Sequence, residues 1–584
     1  MGGDDDRTSA SSLTGMRADI WDLWLKKPSP AGSFGALHPD ETAIILHGIE
    51  HGVAVDFTGD RESDRSGRNH PMSAPFADKV RKIIADDVAA LKKAGPFARR
   101  PTVRGRLLCV SPIGAVPKRG SDKVRMIHDL SYPRGGDSVN SGIDNPYLPI
   151  SSFGHAARAV LKMGRGCLLI KLDVEAAYRQ IPVRPEDWHL LGFFFEGKWY
   201  YERVLPFGLR SSCRLWDMFA AALHWLCQNV VRCEVPHFVV HYVDDFLFVV
   251  QSTLGPNGEP CPHAASLLRR TLELCAVLGI PMAESKTEGP TTCLTFLGIE
   301  LDTVAMEARL PPSRLAELQL LIVGWQSRKH ASVKELQSLT GLLNFACSVV
   351  RPGRFYLRRI INHTTHVISL CAAAHGKRGH LAPFPLTKAV MEDLRWWADF
   401  LPSWNGVSLL YEEHWSHAPL LQLYTDACLA GYGAYFQGAW VAGTWSPEII
   451  AAARRTQRAS MPFLELTSLV IAAGTWGHLW GGKKITFWCD CKPVVDALRK
   501  CSSRSPEQMH LLRQMATIAC RRGFDFKVHH ISGESNTVAD ALSRYGDCQL
   551  FRTSCPDAQL LPTSPVFPSM PPPRPLPPQQ GRQA

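Results

Sequence analysis

Residues 238–250 read FVVHYVDDFLFVV, so Asp244 and Asp245 interrupt a run that is otherwise almost wholly apolar. Neighbouring carboxylates repel each other, and burial makes their ionised forms costly unless a cation compensates. Mg²⁺, which prefers oxygen ligands, is such a cation. By itself the pair also reads as an acidic polar turn, and it lacks the glycine that a tight two-residue hairpin favours. A third acid, Asp173, ends the β-type run CLLIKLDV (167–174). Two-metal phosphoryl transfer needs carboxylates from separate elements to hold ions roughly 3.5–4 Å apart. One ion would activate an attacking 3′-hydroxyl, and the other would neutralise a triphosphate and its pyrophosphate leaving group.

A second set of acids follows. Asp426 ends the strand-like QLYTDA, with Tyr432–Phe436 as its expected hairpin partner. Glu465 lies in a helical run, PFLELTSLVIAA, with Pro462 near its start. Asp490 ends ITFWCD, and Asp540 falls on the first turn of a short helix for which Asn536 is the expected N-cap. Taken one at a time, each is a cap or a surface acid, and His530 is a loop histidine. Together, four acids on four elements can surround two Mg²⁺ ions that activate water against a phosphodiester.

The elements that must position these groups alternate in type. Apolar spacing at Val80, Ile83, Ile84, Val88 and Leu91 predicts a helix over about 78–91. From Leu107 to Asp302 short β-type runs alternate with helical segments. Ser332-Val333-Lys334-Glu335 is a capping box, followed by Leu336, Leu339, Leu343 and Ala346 on one helical face. A fresh α/β pattern runs from Leu420 to Tyr545. The first fifteen residues and 59–70 are polar, and the end of the chain is rich in proline, with an expectation of extended, solvated backbone.

Composition fits this organisation. The 584 residues suggest several domains. The net charge of +11 favours a polyanionic partner. Between Lys92 and Arg134 there are eleven Lys or Arg and only two acids, Asp122 and Asp129, which is either a solvated basic face or a phosphate-contacting one. The 17 cysteines form no C-x-x-C pair, which argues against a zinc ribbon. With no signal pattern they read as reduced, in a cytoplasmic or nuclear protein that is not secreted. No apolar run is long enough to suggest a membrane span.

Tyr242-Val243-Asp244-Asp245 resembles the Y-x-D-D box of reverse transcriptases, and Lys171-Leu172-Asp173-Val174 through Tyr178 resembles their first catalytic motif. Leu205-Pro206-Phe207-Gly208-Leu209, between the two, is similar to their template- and nucleotide-positioning motif. The resemblance implies metal binding at Asp173, Val174, Asp244 and Asp245. It also implies nucleotide contacts at Lys118, Arg125, Phe207 and Gly208, and a gate at Tyr178 where a ribose 2′-hydroxyl would fall. Lys286, in the stretch from Gly279, is implied as the donor of a proton to pyrophosphate. Phe296-Leu297-Gly298-Ile299 resembles the primer-grip hairpin. Asp426, Glu465, Asp490 and Asp540, with His530 on a nearby loop, resemble the Asp-Glu-Asp-Asp arrangement of ribonuclease H.

The fold expected from the resemblance is α+β and multidomain. It comprises a polar, partly disordered segment (1–75), right-hand polymerase fingers and palm (76–305), a helical thumb or connection (306–415), a ribonuclease H-like α/β domain (418–547) and a Pro-rich disordered tail (548–584). Ser131-Tyr132-Pro133 with Ser138-Val139-Asn140, FLGIELD (296–302), and Leu343-Asn344-Phe345-Ala346 with Pro352-Gly353-Arg354 and Leu357-Arg358-Arg359 resemble DIRS-like retrotransposon polyproteins. Expected partners are an RNA template, a DNA primer, the RNA–DNA hybrid, dNTPs and a separately encoded recombinase, with two Mg²⁺ ions per site and Mn²⁺ as an alternative. Two other readings stand beside this one. The chain could be a domesticated, non-catalytic nucleic-acid-binding protein, or a polymerase that copies RNA into RNA, which the bulk of Tyr178 disfavours.

Overall fold

The apolar runs flanking Asp244 and Asp245 pair with each other and with the run that ends in Asp173. The computed structural model describes residues 10–27, 39–72, 74–117, 122–144, 148–252, 262–373, 382–408, 415–416, 423–456, 460–562 and 564–569. The chain divides into two compact units, 1–296 and 297–584.

In the first unit, helices α1 (Ala18–Leu25) and α2 (Pro39–His51) belong to the core. Trp21, Ile45 and Ile49 are fully buried, and Val53, Val55 and Phe57 follow them inward. Trp21 donates its Nε1–H to the Leu278 carbonyl at 3.0 Å and packs edge-on against Phe219. The expectation of a polar, partly disordered segment over 1–75 therefore fails for these residues. A few apolar side chains at helical spacing outweigh the polar composition around them. Residues 59–70 do stay irregular, held by ion pairs from Arg61 to Asp187 and from Arg65 to Asp137.

Helix α3 (Ala74–Ala89) begins and ends earlier than its apolar spacing suggests. Val80 and Ile84 pack beneath a hairpin formed by β1 (Ile113–Pro117) and β2 (Val124–His128). Leu91 lies beyond the helix with φ +62°, largely exposed. The central sheet is antiparallel. Its strands are β3 (Leu168–Asp173), β4 (His237–Tyr242), β5 (Asp245–Val250) and β6 (Glu288–Thr291), in the order β6-β3-β5-β4. Helix α4 (Ser212–Asn229) buries Leu215, Trp216, Phe219 and Leu223 in the same core.

The second unit opens with an antiparallel strand pair, Ile299–Asp302 and Glu307–Arg309, and continues with helices. They are α5 (Pro312–Gln326), α6 (Val333–Ala346), α7 (Gly353–Ala373) and α8 (Lys388–Phe400). The capping box at Ser332 and Glu335 forms, and Leu336, Leu339, Leu343 and Ala346 are buried as their spacing requires. The compact division falls at 296/297, whereas the sequence suggests 305/306.

An α/β layer follows. Strands β7 (Leu423–Ala427), β8 (Gly431–Phe436) and β9 (Ala439–Thr444) form an antiparallel meander. Strands β10 (Lys484–Cys489) and β11 (Asp525–His530) pair in parallel. Between the meander and β10 the chain forms α9 (Ser460–Trp476), buried on all sides from Phe463 onward, as a helix apolar around its whole circumference must be. Helices α10 (Pro506–Arg522) and α11 (Thr537–Tyr545) complete the layer.

The expected disordered tail from 548 also needs correcting. Phe551 is fully buried, and Gln559–Leu560 adds a short parallel strand to β9. Val566 bonds to Thr475, and Ser569 bonds to His510 and Gln514. The Pro571–Pro578 run lies outside the described residues. No helix among the described residues is long and apolar enough to cross a membrane.

Candidate active sites

Antiparallel pairing of β3 with β5 sets Asp245 opposite Asp173. Pairing of β4 with β5 sets Tyr242 opposite Asp245, leaving Val243 and Asp244 as the two turn residues. Only Val243 has positive φ (+57°), the pattern of a type II′ turn. A β-branched residue is strained there by about 1–3 kcal/mol and persists only where its surroundings over-determine it. Asp244 is tied to β3 by its carbonyl, which accepts the Val174 N–H at 3.1 Å. Asp173, Val174, Asp244 and Asp245 are thus brought together.

Lys286 joins them. Ala283 N–H donates to the Asp173 carbonyl, and Glu175 N–H donates to that of Pro281. These bonds bring the Lys286 ammonium within 2.6 Å of both Asp173 carboxylate oxygens.

The nucleotide-contact residues lie on adjoining elements. Tyr178 sits against Phe207, with ring centroids 5.3 Å apart. Phe207 is largely exposed. Gly208 has φ +113°, and a Cβ there would stand 2.0 Å from the His128 carbonyl oxygen, so no other residue fits. Arg125, on β2, lines a cavity of about 210 Å³ with Phe207, Arg179 and Glu202. Lys118 lies outside the described residues.

Two features here escape sequence reading. Asn140 donates to the Gly208 carbonyl and to Ser131 Oγ, both at 2.8 Å, and accepts the Arg210 N–H. It therefore holds the loop that carries Phe207. A buried network of Arg179, Glu202, Asp87 and Lys93 underlies the cavity. Its only trace in the sequence is an arginine inside the largely apolar EAAYRQIPV.

The second cluster forms around β7. Gly433 faces Asp426 across the β7–β8 pair, and a Cβ at Gly433 would stand 2.5 Å from the Leu542 side chain. That close approach lets α11 lie against the strands and brings Ser543 Oγ to donate to Asp426. Asn536 corrects the expectation: its side chain makes no cap and instead donates to the Thr425 carbonyl and to Asp426 Oδ1 at 3.4 Å. Asp540 lies on the first turn of α11, paired with Arg544 at 2.6 Å. The β10–β11 register sets His530 beside Cys489, and a His530 ring N–H donates to the Asp490 carbonyl at 3.1 Å. Ligand atoms of Glu465, Asp490 and the unforeseen Cys489 lie within 4.8 Å of one another.

Burial raises every shifted acid in both clusters, and like charge adds to it. Asp245 is pushed up to about 6 by burial, then by Asp244 and Asp173, and Asp244 is raised chiefly by burial. Asp426 is pushed up to about 6 by burial, against the Ser543 hydrogen bond and with Asp490 and Asp540. Glu465 is pushed up to about 9 by burial, then by Asp426 and Asp490, and Asp490 is raised chiefly by burial. Oxygen-rich sets that hold protons they would otherwise lose fit a hard divalent cation, which displaces those protons.

A pH dependence follows. Unfolded Asp and Glu titrate near 3.9 and 4.3. The folded values are higher, so the folded state keeps protons that the unfolded chain releases. Stability from this source is complete below the unfolded values. It is lost as pH rises to about 6 for Asp245 and Asp426, and to about 9 for Glu465. Mg²⁺ should therefore raise the melting temperature more at pH 8 than at pH 5.5, by roughly 2–4 °C for each kcal/mol of linked stabilisation. An equal gain at both values in calorimetry would refute the linkage.

Residues 109–301 match the family "Reverse transcriptase (RNA-dependent DNA polymerase)", and residues 475–546 match "Reverse transcriptase-like". Polyprotein P3 of Commelina yellow mottle virus is 22% identical over 450 residues, covering 74% of this chain and 20% of that protein. The Gag-Pol polyprotein of Walleye dermal sarcoma virus is 27% identical over 225 residues, covering 37% and 12%. The transposon Tf2-3 polyprotein of Schizosaccharomyces pombe is 21% identical over 450 residues, covering 75% and 29%. The chain thus spans less than a third of the length of these relatives. A foamy viral protease-reverse transcriptase in complex with double-stranded DNA aligns at 16% identity and a TM-score of 0.47, covering 88% of this chain and 81% of that one. The chain thus contains a segment that matches the reverse transcriptase family, followed by a shorter segment that matches a reverse transcriptase-like family, and these relatives are viral and transposon polyproteins.

Proposed function

We propose that this chain is an RNA-directed and DNA-directed DNA polymerase that also degrades the RNA strand of its product hybrid. The observation that carries the reading is the strand register that sets Asp245 opposite Asp173 with Asp244 on the adjoining turn. Asp173, Val174, Asp244 and Asp245 hold divalent ions at the first site, and Asp426, Glu465, Asp490 and Asp540 hold them at the second. The ion is Mg²⁺, with Mn²⁺ as a substitute, and when bound it neutralises charge and activates the attacking oxygen.

The chain's own residues do the rest. Arg125, with Lys118, grips the triphosphate of a dNTP, and Phe207 and Gly208 bear on the nucleotide. Lys286 holds a proton at Nζ beside Asp173, available to the leaving pyrophosphate. His530 moves protons or helps release product beside Asp490. The hybrid is selected by shape and 2′-hydroxyl contacts rather than by base sequence.

The domains are fingers and palm, a helical thumb, and a ribonuclease H-like domain. We assign the parent element to the DIRS-like group, whose recombinase would be encoded separately, and place the enzyme in the cytoplasm or nucleus. The test is primer extension on a labelled RNA template, reading product length and residual RNA together. Extension with loss of RNA supports both activities, and neither activity in the presence of Mg²⁺ or Mn²⁺ refutes the reading.

Tyr178 provides a specific expectation. Its ring is braced against Phe207 and half-buried beside Cys213, and burial raises its hydroxyl pKa. Tyr178→Ala should raise ribonucleotide incorporation relative to dNTP by roughly 10–200-fold, the range of a simple steric difference. Unchanged discrimination in a direct rNTP/dNTP competition would remove the gate from the mechanism.

A further inference from the structure

The strained turn before Asp244 is held by a side chain that no motif indicates. Trp216, on α4, is fully buried. Its Nε1–H donates to the Val243 carbonyl at 2.8 Å. Val243 is the residue at φ +57°, and its carbonyl belongs to the peptide that leads into Asp244. The next carbonyl, that of Asp244, accepts from Val174 N–H. Both peptide oxygens of the turn are therefore fixed, one by β3 and one by α4. The same helix carries Cys213, which lies beside Tyr178 and adds to the rise of its hydroxyl pKa.

We propose that Trp216 is a positioning residue of the polymerase site, and that its indole N–H locks the Val243–Asp244 peptide in the orientation that aims the Asp244 carboxylate at the metals. The proposal rests on the polymerase reading of this site but does not need it for its test. Free of the indole donor, a valine in the left-handed region has reason to leave it, because L-residues with branched Cβ atoms favour negative φ. Rotation of that peptide would turn Asp244 away from Asp173 and Asp245. A ligand misplaced in this way loses metal affinity and rate while leaving primer–template contacts alone.

The argument predicts rescue. Glycine adopts positive φ without strain, so Val243→Gly should make the lock dispensable. The full chain carrying Asp490→Asn, with its second metal cluster weakened, is the background for measurement. Mn²⁺ affinity is read by electron paramagnetic resonance of the free ion, and the Mg²⁺ dependence of primer extension is read alongside. Trp216→Phe should weaken Mn²⁺ binding and raise the half-saturating Mg²⁺ by about tenfold, in the range typical for groups that orient metal ligands. KM for primer–template should not change. Adding Val243→Gly should return both metal readouts close to the parent.

Replacement of Trp216 by β-(3-benzothienyl)alanine, which keeps the ring and lacks the donor, gives the same comparison if the phenylalanine variant does not fold. Parental Mn²⁺ affinity in either variant, or a loss that Val243→Gly does not repair, overturns the proposal and leaves Trp216 as packing. If the parent binds Mn²⁺ at this cluster yet extends no primer, the polymerase reading fails, and Trp216 is still decided by the Mn²⁺ affinities.

Discussion

Changing Asp244 to Asn abolishes primer extension and leaves cleavage of an RNA–DNA hybrid intact; that is the expected result for the first site. Asp244 stands on the turn, held through its own carbonyl by Val174 and through the preceding one by Trp216. The substitution keeps the volume and the backbone bonds and removes one charge from the proposed cation-binding cluster. The loss in rate should exceed the roughly 10²–10³-fold cost of removing a single charge-stabilising donor, because a direct ligand goes with it. Stability should rise slightly in the absence of metal, since burial disfavours the charged form of Asp244 and the amide relieves that penalty. A variant that is inactive and also destabilised would show that folding rather than chemistry was lost. A variant that loses both activities while staying folded would refute two independent sites.

The reverse separation is expected at the second site. Asp490→Asn should spare primer extension and leave the RNA strand annealed to its DNA copy, with hybrid cleavage down by on the order of 10²–10³-fold or more. Asp490 directly follows β10, within ligand distance of Glu465, and its carbonyl also receives His530. Glu465→Gln is the second probe of the site. Glu465 is almost fully buried and holds its proton up to about 9 without a cation. The uncharged glutamine should therefore be tolerated by the fold, and metal-free stability at pH 8 should increase while cleavage disappears. Full cleavage by both variants, measured on a gel-resolved labelled hybrid, would exclude this cluster as the nuclease site.

Much of this was legible in the residues because buried carboxylates are expensive. An aspartate at the end of CLLIKL or ITFWC, or a pair of them inside FVVHYV–FLFVV, has no purpose in packing. The two-residue period of a strand then dictates which acids can face one another. Residue type and spacing thus mark the hairpin tip, the β7–β8 pair, the Ser332 capping box and the alternation of strands and helices, whereas each of the seven carboxylates taken alone also reads as a turn, cap or surface acid and gains its role only from the family resemblance. The N-terminus and the tail depart from expectation because their average composition is polar, while burial is decided by individual side chains such as Trp21 and Phe551.

Tertiary structure alone decided what depends on contacts between distant segments. Ser543 reaches Asp426 across 117 positions, Lys286 reaches Asp173 across 113, and Trp216 holds Val243 from another element. No local pattern encodes such contacts, because each depends on backbone approach and side-chain direction fixed only once the elements pack. That is why Asn536, a cap by its position, turned out to serve Asp426 instead. Residue type and spacing determined which groups could do chemistry here, and packing determined which neighbours aim them, through the directionality of hydrogen bonds and the close approach that a glycine such as Gly433 permits.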